Sequence, residues 1–185
     1  MEPADEQLML SYAGGDARAF EALYARHKGP LYRFVLRSVK GAGEAEELAQ
    51  EIWMRVIGAR AGYEPRAKFT TWLYSIAHHR LVDHWRARGL TIVSLDDGDD
   101  DREPLEPAAG PEAEPERVLE AAQTGARLAA ALAALPLAQR EAFLLHQEGG
   151  LTAIEVARAT GTHEEAAKSR LRYAVRKLRE AIDDE

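Results

Sequence analysis

The stretch Thr152-Ala153-Ile154-Glu155-Val156-Ala157-Arg158-Ala159-Thr160-Gly161-Thr162-His163-Glu164-Glu165-Ala166-Ala167-Lys168-Ser169-Arg170-Leu171-Arg172-Tyr173-Ala174-Val175-Arg176-Lys177-Leu178-Arg179 decides the reading of this chain. Thr152 with Glu155 at the third position after it makes a capping box, which opens a short helix carrying Ile154, Val156 and Ala157. Gly161 suits the left-handed residue that ends such a helix. A last helix follows from about His163 to Ile182, with Ala167, Leu171, Ala174, Val175 and Leu178 as its buried stripe. Two helices joined by a glycine turn form a helix-turn-helix. The second helix carries Lys168, Arg170, Arg172, Arg176, Lys177 and Arg179, with no acid between Ala166 and Arg179. In such motifs the second helix enters the major groove, N-terminal end toward the base edges. Base contact therefore falls to His163, Glu164, Lys168 and Arg172, and the later cations go to phosphates. A solvated amphipathic helix is the plainer alternative for the same pattern.

Upstream, Glu148-Gly149-Gly150 stops a helix carrying Phe143, Leu144 and Leu145, and Pro136 fits its first turn. Residues 116–134 are rich in Ala, Leu and Glu and are expected to be helical. Before them, residues 96–116 hold ten acids, one Arg, four Pro and a single large aliphatic residue, Leu105. So little apolar surface cannot offset the entropy of ordering, so this segment is expected to be a disordered acidic linker. It also explains the charge. The chain as a whole carries 24 cations against 31 acids, a formal −7 that argues against a nucleic-acid partner. Residues 96–116 alone carry −9, which leaves the rest at +2. The acidity belongs to the linker.

The N-terminal part also reads as helical, so the expected fold class is all-α, with two small helical domains at 1–95 and 117–185. Asp16 can cap a helix bearing Phe20, Leu23, Tyr24, Leu31, Phe34 and Val35, with a kink or break expected at Gly29-Pro30. A second helix, 42–58, places Leu48, Ile52 and Val56 on one stripe. Its other face aligns Glu47, Gln50, Glu51 and Met54 at i, i+3, i+4 and i+7, an acidic and partly apolar strip onto which a basic partner helix could dock. Simple solvation is the plainer alternative for a charged strip taken alone. The third helix starts near Thr70 or Thr71 and runs to about Arg88. The loop Tyr63-Glu64-Pro65-Arg66-Ala67-Lys68 before it, with Trp72, Arg80, His84, Trp85, Arg86 and Arg88, mixes rings and cations as a single-strand binder does. Core packing is the plainer alternative for Phe69 and Trp72. Trp85, near a helix end, is the better expected exposed ring.

There is no cysteine, which excludes disulfides and thiol chemistry. His78, His79, Asp83 and His84 lack metal-site spacing, and no nucleophile elbow, phosphate loop or dinucleotide fingerprint is present, so neither metal, cofactor nor enzymatic activity is expected. The acidic N-terminus is unlike a signal peptide and no apolar run spans a bilayer, so the expected location is the cytoplasm.

At these residues the sequence resembles the bacterial RNA polymerase sigma factors of the extracytoplasmic-function (ECF) group. The first domain has Phe20-Glu21-Ala22-Leu23-Tyr24, Ala45-Glu46-Glu47-Leu48-Ala49-Gln50-Glu51-Ile52-Trp53-Met54-Arg55-Val56 and Phe69-Thr70-Thr71-Trp72-Leu73-Tyr74-Ser75-Ile76-Ala77. The second has Leu135-Pro136, Gln139-Arg140-Glu141-Ala142-Phe143-Leu144-Leu145, Ile154-Glu155-Val156-Ala157 and Lys168-Ser169-Arg170-Leu171. The resemblance implies that Glu47, Gln50, Glu51 and Met54 dock on the clamp coiled coil of the polymerase largest subunit. It implies that Tyr63, Arg66, Lys68, Trp72, Arg80, His84, Trp85, Arg86 and Arg88 melt the promoter and hold minus-10 bases. It assigns duplex minus-35 DNA to Thr152, His163, Glu164, Lys168, Ser169, Arg170, Arg172, Arg176 and Lys177. The acidic linker would thread basic channels of the polymerase, and a cognate anti-sigma factor is implied. This chain departs from the family at Glu165-Ala166-Ala167-Lys168-Ser169-Arg170, where Gly-Thr-Val-Lys-Ser-Arg is common. A stand-alone helix-turn-helix regulator with an N-terminal effector or dimerisation domain is the competing reading.

Overall fold

The computed structural model describes residues 2–90 and 115–183, with side chains from 2–90 and 124–183. Among the described residues the regular structure is entirely helical. The order is α1 (Asp5–Ala13), α2 (Ala17–Ser38), α3 (Ala42–Ala59), a 3-10 turn (Arg60–Gly62), α4 (Phe69–Ala87), α5 (Pro115–Ala134), α6 (Leu137–Gln147), α7 (Ala153–Thr160) and α8 (Glu164–Asp183). The expected linker at 96–116 lies almost wholly outside the described residues.

In the N-terminal half, Leu23, Leu31, Phe34 and Val35 of α2 meet Leu48, Ile52 and Val56 of α3 and Leu73, Tyr74, Ala77 and Leu81 of α4 in one buried cluster. Asp16 caps α2 by accepting the Arg18 N–H at 3.0 Å. Of the kink or break expected at Gly29-Pro30, the break does not occur, because α2 runs on through Pro30. An interior proline costs about 3 kcal/mol. Burying Leu23, Leu31, Phe34 and Val35 contributes about 1.5–3 kcal/mol each and outweighs it.

Helix α1 has no counterpart in the sequence reading. It buries only Leu8 and Met9, too few for a periodic signal. Its carboxylates fix it in place. Asp5 holds Arg26 and His27, each at 2.7 Å, and Glu6 accepts the Phe69 N–H at 2.6 Å. Glu6 thereby caps α4, whose own N-cap residue, Lys68, supplies no side-chain acceptor.

In the C-terminal half, Leu144, Leu145 and Leu151 pack with Val156 of α7 and with Ala167, Leu171, Ala174 and Leu178 of α8. Val175 is only half-buried. Arg140 donates to the Ala133 and Leu135 carbonyls, so a cation closes the carbonyl end of α5. The two halves are also in contact. Helix α7 lies on α4 and α6 lies on α2. Gly149 sits against the other half, where a Cβ would come within 2.9 Å of the Tyr74 ring and 2.6 Å of the Leu145 carbonyl oxygen.

Candidate nucleic-acid and partner interface

The helix-turn-helix forms as its sequence dictates. Thr152 Oγ1 accepts the Glu155 N–H at 3.3 Å, and the Glu155 carboxylate accepts the Thr152 N–H at 2.8 Å. That backbone hydrogen bond, then the Lys68 ammonium, hold the Glu155 carboxyl below the usual range. Gly161 adopts φ 64°, a left-handed conformation that favours glycine, and the Thr162 N–H returns to Ala157 O at 3.0 Å. His163 and Glu164 stand exposed at the head of α8. Lys168 pairs with Glu164 at 2.7 Å and Glu165 at 3.1 Å, which raises its pKa. Ser169, Arg170 and Arg172 are half-buried, Arg176 lies 5.5 Å from the Tyr173 ring centroid, and Lys177 pairs with Glu180 at 2.7 Å. Of the nine residues expected here, Thr152 is committed to its cap.

On α3, the strip at Glu47, Gln50, Glu51 and Met54 assembles as the spacing requires. Together with Arg55 these side chains line a shallow depression of about 430 Å³, and Met54 is 65% exposed. An exposed thioether among carboxylates suits a partner helix that is part apolar and part basic.

The α4 residues divide. Arg80 donates to Glu51, and Arg88 and His84 meet Glu44, His84 at 3.4 Å. The Arg80 hydrogen bond lowers the Glu51 carboxyl, and burial lowers the His84 imidazole. Arg80, His84 and Arg88 therefore face the carboxylates of α3. Arg86 is exposed. Arg66 pairs with Glu64 in the loop, and Lys68 reaches Glu155 of α7 at 2.9 Å. Two aromatic expectations need correction. Trp85 is 3% exposed and its indole N–H donates to the Ser38 carbonyl at 3.4 Å, so it is a core ring. Tyr63 is also buried, edge-on to the half-buried Trp72 at 4.9 Å, and burial pushes its phenol up to about 12. Helical spacing placed Trp85 near an end but not on a face, and burial in the core with a hydrogen bond to the Ser38 carbonyl claimed it.

Sequence reasoning missed Arg33 and Arg37 on α2, Glu141 on α6 and Glu148 at its end. The carboxylates of Glu141 and Glu148 are buried, and their partners lie in the N-terminal half.

Comparison with known proteins identifies the family. The chain matches the family models for Sigma-70 region 2 over residues 23–91 and Sigma-70, region 4 over residues 125–178. It is 31% identical over 182 residues to the ECF RNA polymerase sigma factor SigK of Mycobacterium tuberculosis (strain ATCC 25618 / H37Rv), covering 96% of this chain and 93% of that protein. It is 34% identical over 168 residues to the ECF sigma factor RpoE of Cereibacter sphaeroides, covering 89% and 87%. Among solved structures, CnrH in complex with the cytosolic domain of CnrY shares the fold at a TM-score of 0.70 and 23% identity, covering 99% of this chain and 100% of that one. RpoE in complex with the anti-sigma factor NepR from Bartonella quintana does so at 0.67 and 21%, covering 91% and 99%. No described helix is long and apolar enough to cross a membrane. With both family regions matched in order and relatives aligned along nearly its whole length, the chain belongs to the ECF sigma factors, which act in transcription initiation.

Proposed function

We propose that this sigma factor docks on the clamp coiled coil of the polymerase largest subunit through Glu47, Gln50, Glu51 and Met54. The observation that carries the reading is the α3 depression, which gathers those four side chains on one exposed face. The minus-10 element is assigned to the 63–68 loop and α4, with Arg66, Lys68, Trp72 and Arg86 as the reachable groups. The minus-35 element is assigned to α8, with His163, Glu164, Lys168 and Arg172 toward the bases and Arg176 and Lys177 toward phosphates. The protein works without catalysis, in the cytoplasm, and under a cognate anti-sigma factor, as the complexes of its structural neighbours suggest.

Charge reversal tests the docking surface. Glu47→Lys with Glu51→Lys should abolish co-elution with core polymerase and promoter-dependent run-off transcription, while leaving the helical circular dichroism intact. Retained co-elution would refute the assignment.

A further inference from the structure

Helix α1 grips the segment around the 63–68 loop at both of its ends. Before the loop, Arg60 donates to the Tyr12 hydroxyl at 3.3 Å and lies 5.3 Å from the Tyr12 ring centroid. After the loop, the Glu6 carboxylate accepts the Phe69 N–H at 2.6 Å. Asp5 reaches the same residue indirectly. It fixes His27 at 2.7 Å, and the His27 ring centroid lies 5.2 Å from that of Phe69. Between the two anchors Glu64, Pro65, Arg66 and Lys68 are exposed, while Tyr63 and Phe69 are buried with their rings edge-on at 6.4 Å.

Apolar packing of Leu8 and Met9 accounts for the attachment of α1, but not for where its polar groups converge. Glu6 is half-buried, and its carboxylate is committed to a backbone donor 63 residues away in the chain. That donor opens α4, where the positive end of the helix dipole favours an anion and where Lys68 supplies no side-chain cap. Without Glu6 the start of α4 lacks this partner and its first turn is prone to fray. Lys68 and Trp72, both assigned to minus-10 DNA, stand at that turn. A frayed turn presents them in many orientations, and binding must then bear the entropy of selecting one.

We propose that Glu6 is a positioning residue for minus-10 recognition. It holds the first turn of α4, and with it the end of the 63–68 loop, in the conformation that receives the melted bases, while Tyr12 and Arg60 secure the other end. The inference rests on the assignment of minus-10 DNA to this loop for its consequence, but not for the cap itself.

Two measurements on the full chain separate the cap from its consequence. The first is amide hydrogen exchange at Phe69, followed by NMR. Exchange should be slow in the wild type and about tenfold faster in Glu6→Ala. It should stay near the wild-type rate in Glu6→Gln, whose carboxamide oxygen still accepts the bond. Equal rates in the wild type and Glu6→Ala would overturn the cap. The second is run-off transcription with core polymerase from a promoter mapped with the wild type, its minus-10 and minus-35 bases substituted one at a time. Glu6→Ala should lower discrimination among minus-10 bases by about threefold to tenfold and leave minus-35 discrimination unchanged. Glu6→Gln should retain both. Wild-type minus-10 discrimination in Glu6→Ala would overturn the positioning role, and so would an equal loss at both elements, which marks general destabilisation. If Arg66→Ala with Lys68→Ala also leaves minus-10 discrimination unchanged, the loop assignment and the positioning role fall together, and the exchange rates still decide the cap.

Discussion

Glu155 shows how a single side chain does two jobs with one carboxylate. It closes the cap of α7 and receives Lys68 from the other half. Both contacts favour the ionised form, so its folded pKa lies below the unfolded value. The stabilisation is therefore present above the unfolded pKa, about 4.3, and is lost as pH falls through the depressed folded value. Glu155→Ala should cost about 1 kcal/mol in urea denaturation at pH 7. Near pH 3 the variant and the wild type should differ much less. His84 has the opposite chemistry and the same direction. Burial disfavours its imidazolium, so stability should decline as pH drops below about 6.5, and His84→Asn should flatten that decline in thermal melts at pH 5–7.

Among the elements, those with a local signature were legible in the sequence. The capping box, Gly161 and the 3.6-residue stripe of α8 are short-range features, and α7 and α8 follow them to within a residue or two. The strip on α3 was equally legible, because helical spacing alone brings four side chains to one face. What could not be read depends on contacts distant in sequence. Helix α1 is pinned by Arg26, His27 and the Phe69 N–H, and Trp85 is claimed by α2 through the Ser38 carbonyl. Pro30 belongs to the same class, since a local rule allowed a kink or a break there and packing carries the helix through without breaking it. Restoring the missing donor by Pro30→Ala should raise the unfolding free energy by about 1–3 kcal/mol in urea titration. A loss would mean that the ring itself is needed in the packing of α2.

At the scale of the whole molecule, charge is sorted by position. Acids fill residues 96–116, and cations and carboxylates face each other across the contact between the halves. Limited proteolysis should cut first between Asp96 and Glu116. Early cleavage within α2–α4 or α6–α8 instead would contradict the division at 96–116. Because Lys68 and the arginines are half-exposed or more, their pairs are open to screening by salt. The few charged pairs that join the halves also set a limit on how the chain can be studied in pieces. A short tether holds its two ends at an effective concentration in the millimolar range. An interface with a dissociation constant of about a tenth of a millimolar is then mostly occupied within one chain, yet nearly empty between separate fragments at about micromolar concentration. Once the tether is cut, the halves should drift apart on a sizing column, and the covalent chain itself counts as one of the ligands that hold this contact together.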